Sequence, residues 1–346
     1  MQCCLFRNGR RRQNLPTNIA VIRLRVHLRC AGDRRRDSSW ADDDSGNKKR
    51  LQVIGALATM VISGKTEVFA VIGDPIEHTL SPTMHNAAFE HLKLDFVFLA
   101  FRVTPDELEN AVRGIRALGI RGLNVTMPHK NSVTEFLDEA DPSVKFLRAA
   151  NTILNQRGRL RGFNTDGIGA ITALKNNGVS LAGKKVLLLG AGGAAQAIAF
   201  SLAKEVDELC ILNRDALKAR ELAGALKSFG KKVVGNELSP KLVQQELQSS
   251  DMLINATSVG MTAYASESLV EPDWLTPELT VMDIVYNPIE TRLIRIARGA
   301  GARVINGLEM LLHQGVASFE IWTQCKAPVD VMREAALKQI SAREKH

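Results

Sequence analysis

From residue 67 onwards, short apolar runs alternate with longer stretches whose apolar residues recur at helical spacing. Short apolar runs between turn residues predict buried strands, and the longer periodic stretches predict helices. The predicted elements of this first unit are strands at 68–72, 96–103 and 120–125, helices at 81–91, 104–118 and 132–139, and a strand pair near 152–160. Ser81 is expected to cap its helix, with Pro82 in the first turn.

A second unit of alternating strands and helices begins with the apolar segment at 183–190. Its further predicted elements are strands at 209–212, 252–255, 281–285 and 303–305, then helices at 308–323 and from 329. Strands that alternate with helices imply a parallel, doubly wound sheet. The length of 346 residues also favours two domains, so the pattern predicts a two-domain α/β protein.

The net charge of +8 is confined to the beginning of the chain. Residues 1–59 hold 13 Lys or Arg and 5 Asp, and the rest of the chain is balanced. A neutral body offers no basic face for nucleic acid, so no nucleic-acid partner is expected. No apolar run approaches the roughly 20 residues that span a bilayer, so no membrane partner is expected either.

Residues 1–59 carry charge blocks without periodicity, which is typical of a disordered basic extension. A transit peptide fits only in part, because the segment contains a run of aspartates at 42–44. The simpler interpretation is that translation begins at Met60 and that the upstream stretch is a wrongly assigned start. Only Cys210 and Cys325 follow this segment, and Cys210 lies in an apolar strand pattern. No spacing predicts a metal site, and a reducing, cytoplasmic compartment is expected.

The segment Gly190-Ala-Gly-Gly-Ala-Ala195 matches a dinucleotide fingerprint between a predicted strand and a predicted helix. Its glycines allow a tight turn and a close approach of backbone to a diphosphate at the helix N-terminus. The next strand ends at Asn213-Arg214, where an NAD site would place an acid. Arg214 and Lys218 favour the 2′-phosphate of NADP, whereas Asp215 argues for NAD. The alternative is that both basic residues are only solvent-exposed charges at the start of a helix.

Lys130 ends the polar segment Asn-Val-Thr-Met-Pro-His-Lys, and Asp166 ends Gly-Phe-Asn-Thr-Asp. Hydride transfer to a ketone creates an alkoxide that needs a proton donor, and such a lysine and aspartate suit that chemistry. An exposed loop lysine and a helix N-cap aspartate are the local alternatives. Short polar side chains suited to a polyhydroxylated substrate are Thr79, Ser81, Asn124, Thr126, Asn151, Thr165 and Gln314. Tyr286 faces the cleft or packs, and His78, His85 and His129 are predicted to be surface or loop residues.

As a set, these motifs resemble the shikimate dehydrogenase family over residues 67 to the C-terminal helices. The resemblance rests on residues 72–89, 124–130, 150–152, 162–166, 190–195, 255–261 and 306–314. It implies reversible NADPH-dependent reduction of 3-dehydroshikimate to shikimate, in aromatic amino-acid biosynthesis. It also implies a substrate domain at 60–166, completed by helices at 308–346, and a Rossmann-like NADP-binding domain at 167–307.

The resemblance identifies Lys130 and Asp166 with the family's catalytic pair. The implied shikimate contacts are Thr79, Ser81, Thr126, Lys130, Asn151, Asp166, Tyr286 and Gln314. The implied cofactor contacts are Gly190, Ala191, Gly192, Gly193, Ala194, Asn213, Arg214, Asp215, Lys218, Ile284 and Gly307.

Four positions depart from the family pattern. Thr79 replaces a serine, Arg148 a glycine, Asp215 a threonine and Lys218 an arginine. The alternatives are a quinate or quinate/shikimate dehydrogenase that uses NAD, and a non-catalytic metabolite-binding regulator. A small-molecule substrate and a monomer or homodimer are expected.

Overall fold

The computed structural model describes residues 62–229 and 232–343, so the predictions for residues 1–59 lie outside the described residues. Within these ranges the chain forms two six-stranded sheets. The strands are β1 Glu67–Gly73, β2 Phe96–Arg102, β3 Gly122–Val125, β4 Glu139–Ala140, β5 Thr152–Gln156, β6 Arg159–Phe163, β7 Lys185–Leu189, β8 Glu208–Asn213, β9 Lys232–Glu237, β10 Met252–Asn255, β11 Thr280–Asp283 and β12 Arg303–Ile305.

Ten α-helices lie in the described ranges. They are α1 Ser81–His91, α2 Leu108–Leu118, α3 Pro142–Leu147, α4 Asp166–Asn176, α5 Gly193–Leu202, α6 Ala216–Leu226, α7 Pro240–Leu247, α8 Arg292–Gly299, α9 Gly307–Thr323 and α10 Val329–Arg343. No helix among the described residues is long and apolar enough to cross a membrane.

The second sheet has the order β12-β11-β10-β7-β8-β9 and all its pairs are parallel. Alternate residues of β7 point to opposite faces, so Val186 and Leu188 pack under α4, α5 and α6. Leu187 and Leu189 pack under α7 and α8 on the other face. This confirms the doubly wound prediction. Cys210 is buried within β8, as its strand pattern predicts.

The first sheet has the order β2-β1-β3-β5-β6-β4, and it is not purely parallel. Strand β5 runs antiparallel to both β3 and β6. Arg157 and Gly158 both have positive φ and join β5 to β6 in the two-residue turn that suits a hairpin. The hairpin reverses the chain and makes this sheet mixed, and β5 and β6 are the strand pair predicted near 152–160.

Two local predictions need correction, and one strand was not predicted. The segment predicted as a helix at 132–139 is a 3-10 turn at Ser132–Phe136 followed by β4, and α3 begins after Asp141, whose side chain caps it. Ser81 is the first helical residue of α1, and Leu80 occupies the cap position. Strand β9 had no apolar pattern to predict it, since it is an edge strand with one buried residue, Val233.

The C-terminal helices return to the first sheet. Phe319 and Trp322 of α9 and Met332 of α10 share a core with Phe69 of β1 and Met84 of α1. Helix α9 therefore crosses from the end of the second sheet to the first. It carries its polar residues into the region where β1 and β3 end.

Candidate active site

A cleft of about 330 Å³ lies where β1 and β3 end and where α1, α4, α5 and α9 begin. It brings together the eight shikimate contacts that the resemblance implies, whereas Thr165 is fully buried and lies outside the lining. Its polar lining includes Thr79, Ser81, Asn124, Thr126, Lys130, Asn151, Asp166, Tyr286 and Gln314. Three of the predicted cofactor residues, Ala194, Ile284 and Gly307, line the same cleft.

Lys130 and Asp166 form an ion pair in this cleft. The lysine Nζ lies 2.6 Å from Asp166 Oδ2, and the carboxylate is nearly buried with 9% of its side chain exposed. Asn151 Nδ2 donates to the other carboxylate oxygen at 2.8 Å. Asp166 is the first residue of α4, and Thr165 occupies the cap position. The cap alternative for Asp166 is therefore wrong, and its carboxylate faces Lys130 and Asn151.

Thr79 and Ser81 approach the cleft from the start of α1. The Ser81 N–H donates to Thr79 Oγ1 at 3.3 Å, which folds the chain tightly before the helix. Ser81 is buried and lines the cleft, and as the first helical residue it does not cap α1. Tyr286 both lines the cleft and packs on the adjoining core, and burial raises the pKa of its phenol.

The turn between β7 and α5 is open in the way that a dinucleotide requires. Gly190 has a φ of +110°, and a Cβ there would lie 2.8 Å from the carbonyl oxygen of Ala256. A Cβ on Gly192 or Gly193 would meet nothing within 4 Å, so space remains above the turn. The first turn of α5 has no acidic residue and no side-chain cap. These residues fit a diphosphate at the helix N-terminus.

Comparison with known proteins agrees with this geometry. Residues 71–153 match the profile of the shikimate dehydrogenase substrate-binding domain. Residues 172–290 match shikimate/quinate 5-dehydrogenase, and residues 307–337 match the shikimate 5′-dehydrogenase C-terminal domain. The shikimate dehydrogenase (NADP(+)) of Methanopyrus kandleri is 47% identical over 81% of this chain and 98% of its own. The chain belongs to the shikimate dehydrogenase family.

Solved structures of the family have the same fold. The shikimate 5-dehydrogenase of Listeria monocytogenes, in complex with shikimate and NAD, matches with a TM-score of 0.76 and 42% identity, over 79% of this chain and 97% of its own. A shikimate dehydrogenase in complex with NADP+ matches with a TM-score of 0.77 and 40% identity, over 81% of this chain and 98% of its own. Two domains of α/β type are thus shared across the family.

The family's glycine position is occupied here by Arg148, and the structure shows why glycine suits it. Arg148 ends α3 with a φ of +50°, in the left-handed region. Its carbonyl oxygen accepts a hydrogen bond from Asn131 Nδ2 at 2.9 Å. The arginine at this position therefore keeps the left-handed backbone turn and its hydrogen bond from Asn131. Glycine would adopt this conformation more readily.

The loop after β8 places two predicted cofactor residues, Arg214 and Lys218, beside the glycine turn between β7 and α5. Arg214 and Lys218 line a surface depression with Ala191 and Gly192. Asp215 caps α6, and its Oδ1 accepts from the N–H groups of Leu217 and Lys218 at 3.0 and 3.4 Å. One carboxylate oxygen of Asp215 is thus already engaged by its own helix.

The prediction for His85 as a surface or loop residue is wrong, because His85 is fully buried in α1. His129 lies in a turn, as predicted, but it is buried with its Nε2 2.7 Å from the carbonyl oxygen of Val103. His78 is exposed, as predicted. Sequence spacing missed the two buried residues because each lies beside a polar motif rather than in an apolar run. No group of three or more potential metal ligands is present among the described residues.

Proposed function

We propose that this chain is a shikimate dehydrogenase that reduces 3-dehydroshikimate reversibly with NADPH, in aromatic amino-acid biosynthesis. The observation that carries the proposal is the Lys130–Asp166 pair in a cleft that Ala194, in the first turn of α5, also lines. A proton-transfer pair and a nucleotide-binding helix then face the same small volume. Family membership supplies the substrate class.

Bound NADPH supplies the hydride for the ketone carbon. The oxygen left as an alkoxide then needs a proton, and the Lys130–Asp166 pair holds one at the cleft. In the reverse direction the same pair accepts the proton of the substrate hydroxyl. Asn151 fixes Asp166 from the side opposite Lys130, which keeps the pair oriented for both directions.

The polar lining of the cleft matches a polyhydroxylated carboxylic acid. We assign the hydroxyls of Thr79 and Ser81, together with Tyr286, to the polar end of the substrate and Thr126, Asn151 and Gln314 to its ring hydroxyls. Asn124 Oδ1 is buried beside the cleft without a protein hydrogen-bond partner, so it is an additional acceptor for a substrate hydroxyl. The sequence pattern already suggested Asn124 as a polar side chain for the substrate, although the resemblance did not imply it as a contact.

The Gly190–Ala194 turn is assigned to the diphosphate, and Arg214 and Lys218 to the 2′-phosphate of NADP. Asp215 serves as the helix cap that holds this loop. Ile284 and Gly307 are assigned to the wall of the cleft beside the cofactor. The proposed division is a substrate domain at 60–166 with helices from 308, and a cofactor domain at 167–307. We place the enzyme in the cytoplasm, because the buried thiol of Cys210 suits a reducing compartment.

The assay follows reduction of NADP⁺ and of NAD⁺ by the full-length protein with shikimate and with quinate. We expect the highest kcat/KM with shikimate and NADP⁺. Faster turnover of quinate with NAD⁺ would replace the substrate and cofactor assignment and leave the reaction class intact. Shikimate binding without turnover in any combination would support the metabolite-binding regulator instead.

Replacing the pair tests its role directly. Lys130→Ala and Asp166→Asn are each expected to lower kcat by about 10²- to 10⁴-fold, the usual contribution of a positioned acid or base. Lys175→Ala is the matched control, because Lys175 also pairs with a carboxylate, Glu205, at 3.0 Å but lies outside the cleft lining. A Lys130→Ala enzyme that bound shikimate and kept the wild-type kcat would rule out proton transfer by the pair through this lysine.

A further inference from the structure

Three buried hydroxyls form a cluster behind the cleft. Thr152 Oγ1 lies 2.7 Å from Ser318 Oγ, and Thr165 Oγ1 lies 3.3 Å from each of them. All three residues have no exposed surface. We call Thr152, Thr165 and Ser318 the hydroxyl cluster. Ser318 comes from α9, one turn after Gln314, while the other two come from the first sheet and the start of α4.

The hydroxyl cluster determines which end of the Asn124 amide faces inward. Asn124 Nδ2 donates to Ser318 Oγ at 3.1 Å, to Thr152 Oγ1 at 3.2 Å and to the carbonyl oxygen of Asn151 at 3.1 Å. These acceptors hold the nitrogen on the buried side. The amide oxygen is consequently the atom without a protein partner. A flipped amide would turn its oxygen toward a carbonyl oxygen and would lose that bond.

The same cluster holds the Asn151 amide in the opposite sense. Asn151 Oδ1 accepts from the Thr165 N–H at 2.8 Å and from the Thr165 hydroxyl at 3.2 Å, which leaves the Thr152 proton for Ser318. The nitrogen therefore points to Asp166 Oδ1, to which it donates at 2.8 Å. If this amide flipped, its oxygen would face a carboxylate oxygen, and the support of Asp166 would be lost.

We propose that Ser318 is a positioning residue for the reaction, acting through the hydroxyl cluster on Asn124 and Asn151. Its hydroxyl donates to the carbonyl oxygen of Gln314 at 3.0 Å, which leaves its lone pairs for Asn124 and Thr152. Helix α9 thus contributes to the site both by lining the cleft with Gln314 and by fixing the two amides from behind. The inference rests on the proposed function, because the two amides are assigned there to shikimate and to Asp166.

The test is the effect of Ser318→Ala on shikimate and on NADP⁺ separately. Ser318→Ala removes one of the three acceptors that hold the Asn124 nitrogen inward, so we expect the KM for shikimate to rise about tenfold, since the buried amide loses one hydrogen bond that fixes its orientation. The KM for NADP⁺ is expected to stay within about twofold of the wild type, and the melting temperature is measured alongside. A structural defect alone would lower the active fraction without changing one KM selectively.

Two pairs of variants sharpen the test. Thr152→Val keeps the side-chain shape and removes the hydroxyl, so it should reproduce the selective rise, whereas Thr152→Ser keeps the hydroxyl and should not. Thr323→Ala is the control within α9, because Thr323 makes the same bond four residues back, to the Phe319 carbonyl oxygen at 2.8 Å, outside the cluster.

The possible outcomes separate the two proposals. Wild-type turnover of shikimate together with an unchanged shikimate KM in Ser318→Ala and Thr152→Val would overturn the positioning role and leave the proposed function standing. An equal rise in both KM values would also overturn it. A wild-type protein that neither bound nor turned over shikimate would overturn the proposed function and the positioning role with it.

Discussion

His85 is a fully buried histidine surrounded by aromatic rings. Its ring stacks on Phe98 with centroids 4.5 Å apart and lies 5.3 Å from Trp322. Neither ring nitrogen has a hydrogen-bond partner among the described residues, and burial lowers the pKa of the imidazole to about 3. His85 therefore packs between α1 and the first sheet as a neutral aromatic side chain.

This burial predicts an acid-sensitive stability. Below pH 6.5 the unfolded chain binds a proton at His85 that the folded chain does not, so stability present above that pH is lost as the pH falls toward 3. We expect the free energy of unfolding of the wild type, minus that of His85→Leu, to be smaller at pH 5 than at pH 7 by about 2 kcal/mol. Urea denaturation at both pH values measures it. A difference that does not change with pH would show that His85 does not titrate on unfolding.

At the scale of elements, Asp283 joins three segments at the cofactor side of the cleft. This last residue of β11 accepts hydrogen bonds from Asn255 Nδ2 at 2.9 Å, from the Val285 N–H at 3.1 Å and from Thr291 Oγ1 at 2.6 Å. Asn255 is the last residue of β10, and Thr291 caps α8. The carboxylate thereby fixes the turn that carries Ile284 and Tyr286 into the cleft.

The burial of Asp283 gives a pH dependence of the opposite sign. Desolvation raises the pKa of this carboxyl to about 6, although its three hydrogen bonds lower it. Between pH 3.8 and 6 the folded chain keeps a proton that the unfolded chain has lost, so stability rises as the pH falls through this window. Relative to Asp283→Asn, the wild type should gain about 2 kcal/mol between pH 7 and pH 4. Paired urea titrations measure the gain, and parallel curves for the two proteins would contradict it.

The elements that the sequence predicted best are those with a strong apolar pattern. Strand β1 and helix α1 were expected at 68–72 and 81–91, and they are found at Glu67–Gly73 and Ser81–His91. The apolar pattern could not show which elements contact one another. Asn86 of α1 bonds the backbone N–H and carbonyl of Phe98, at 2.7 and 2.9 Å, and so covers the open edge of β2. That role depends on β2 being an edge strand, which only the strand order reveals.

The candidate site shows the same limit. Lys130, Asp166 and Gln314 were predictable because they end recognisable motifs, and the cleft brings them together. Ser318 gave no signal, because it lies in an apolar helix where a serine is usually a filler that bonds the preceding turn. Its significance arises only when α9 returns to the first sheet and places it against Thr152.

At the scale of the whole molecule, α4 links the two sheets through two glycines. A Cβ at Gly167 would overlap the carbonyl oxygen of Ala197 and Ser201 Oγ on α5. A Cβ at Gly169 would lie 2.8 Å from the Cβ and the backbone nitrogen of Gln314 on α9. Helix α4 begins with Asp166, so the missing side chains let this carboxylate approach both the phosphate-turn helix and the helix that carries Gln314.

The close packing of α4 predicts a specific cost for Gly167→Ala. The added methyl group must push α5 away from α4 at a backbone atom that cannot rotate aside, so we expect a loss of at least about 2 kcal/mol in the free energy of unfolding. The KM for NADP⁺ should rise as well, because the Gly190–Ala194 turn, assigned to the diphosphate, leads directly into α5. Gly224→Ala is the matched control in α6, where a Cβ meets nothing within 4 Å, and it should stabilise by about 0.5–1 kcal/mol. Chemical denaturation with parallel NADP⁺ kinetics measures both effects. Equal stability of the two alanine variants would mean that the spacing of α4 and α5 is not set by Gly167.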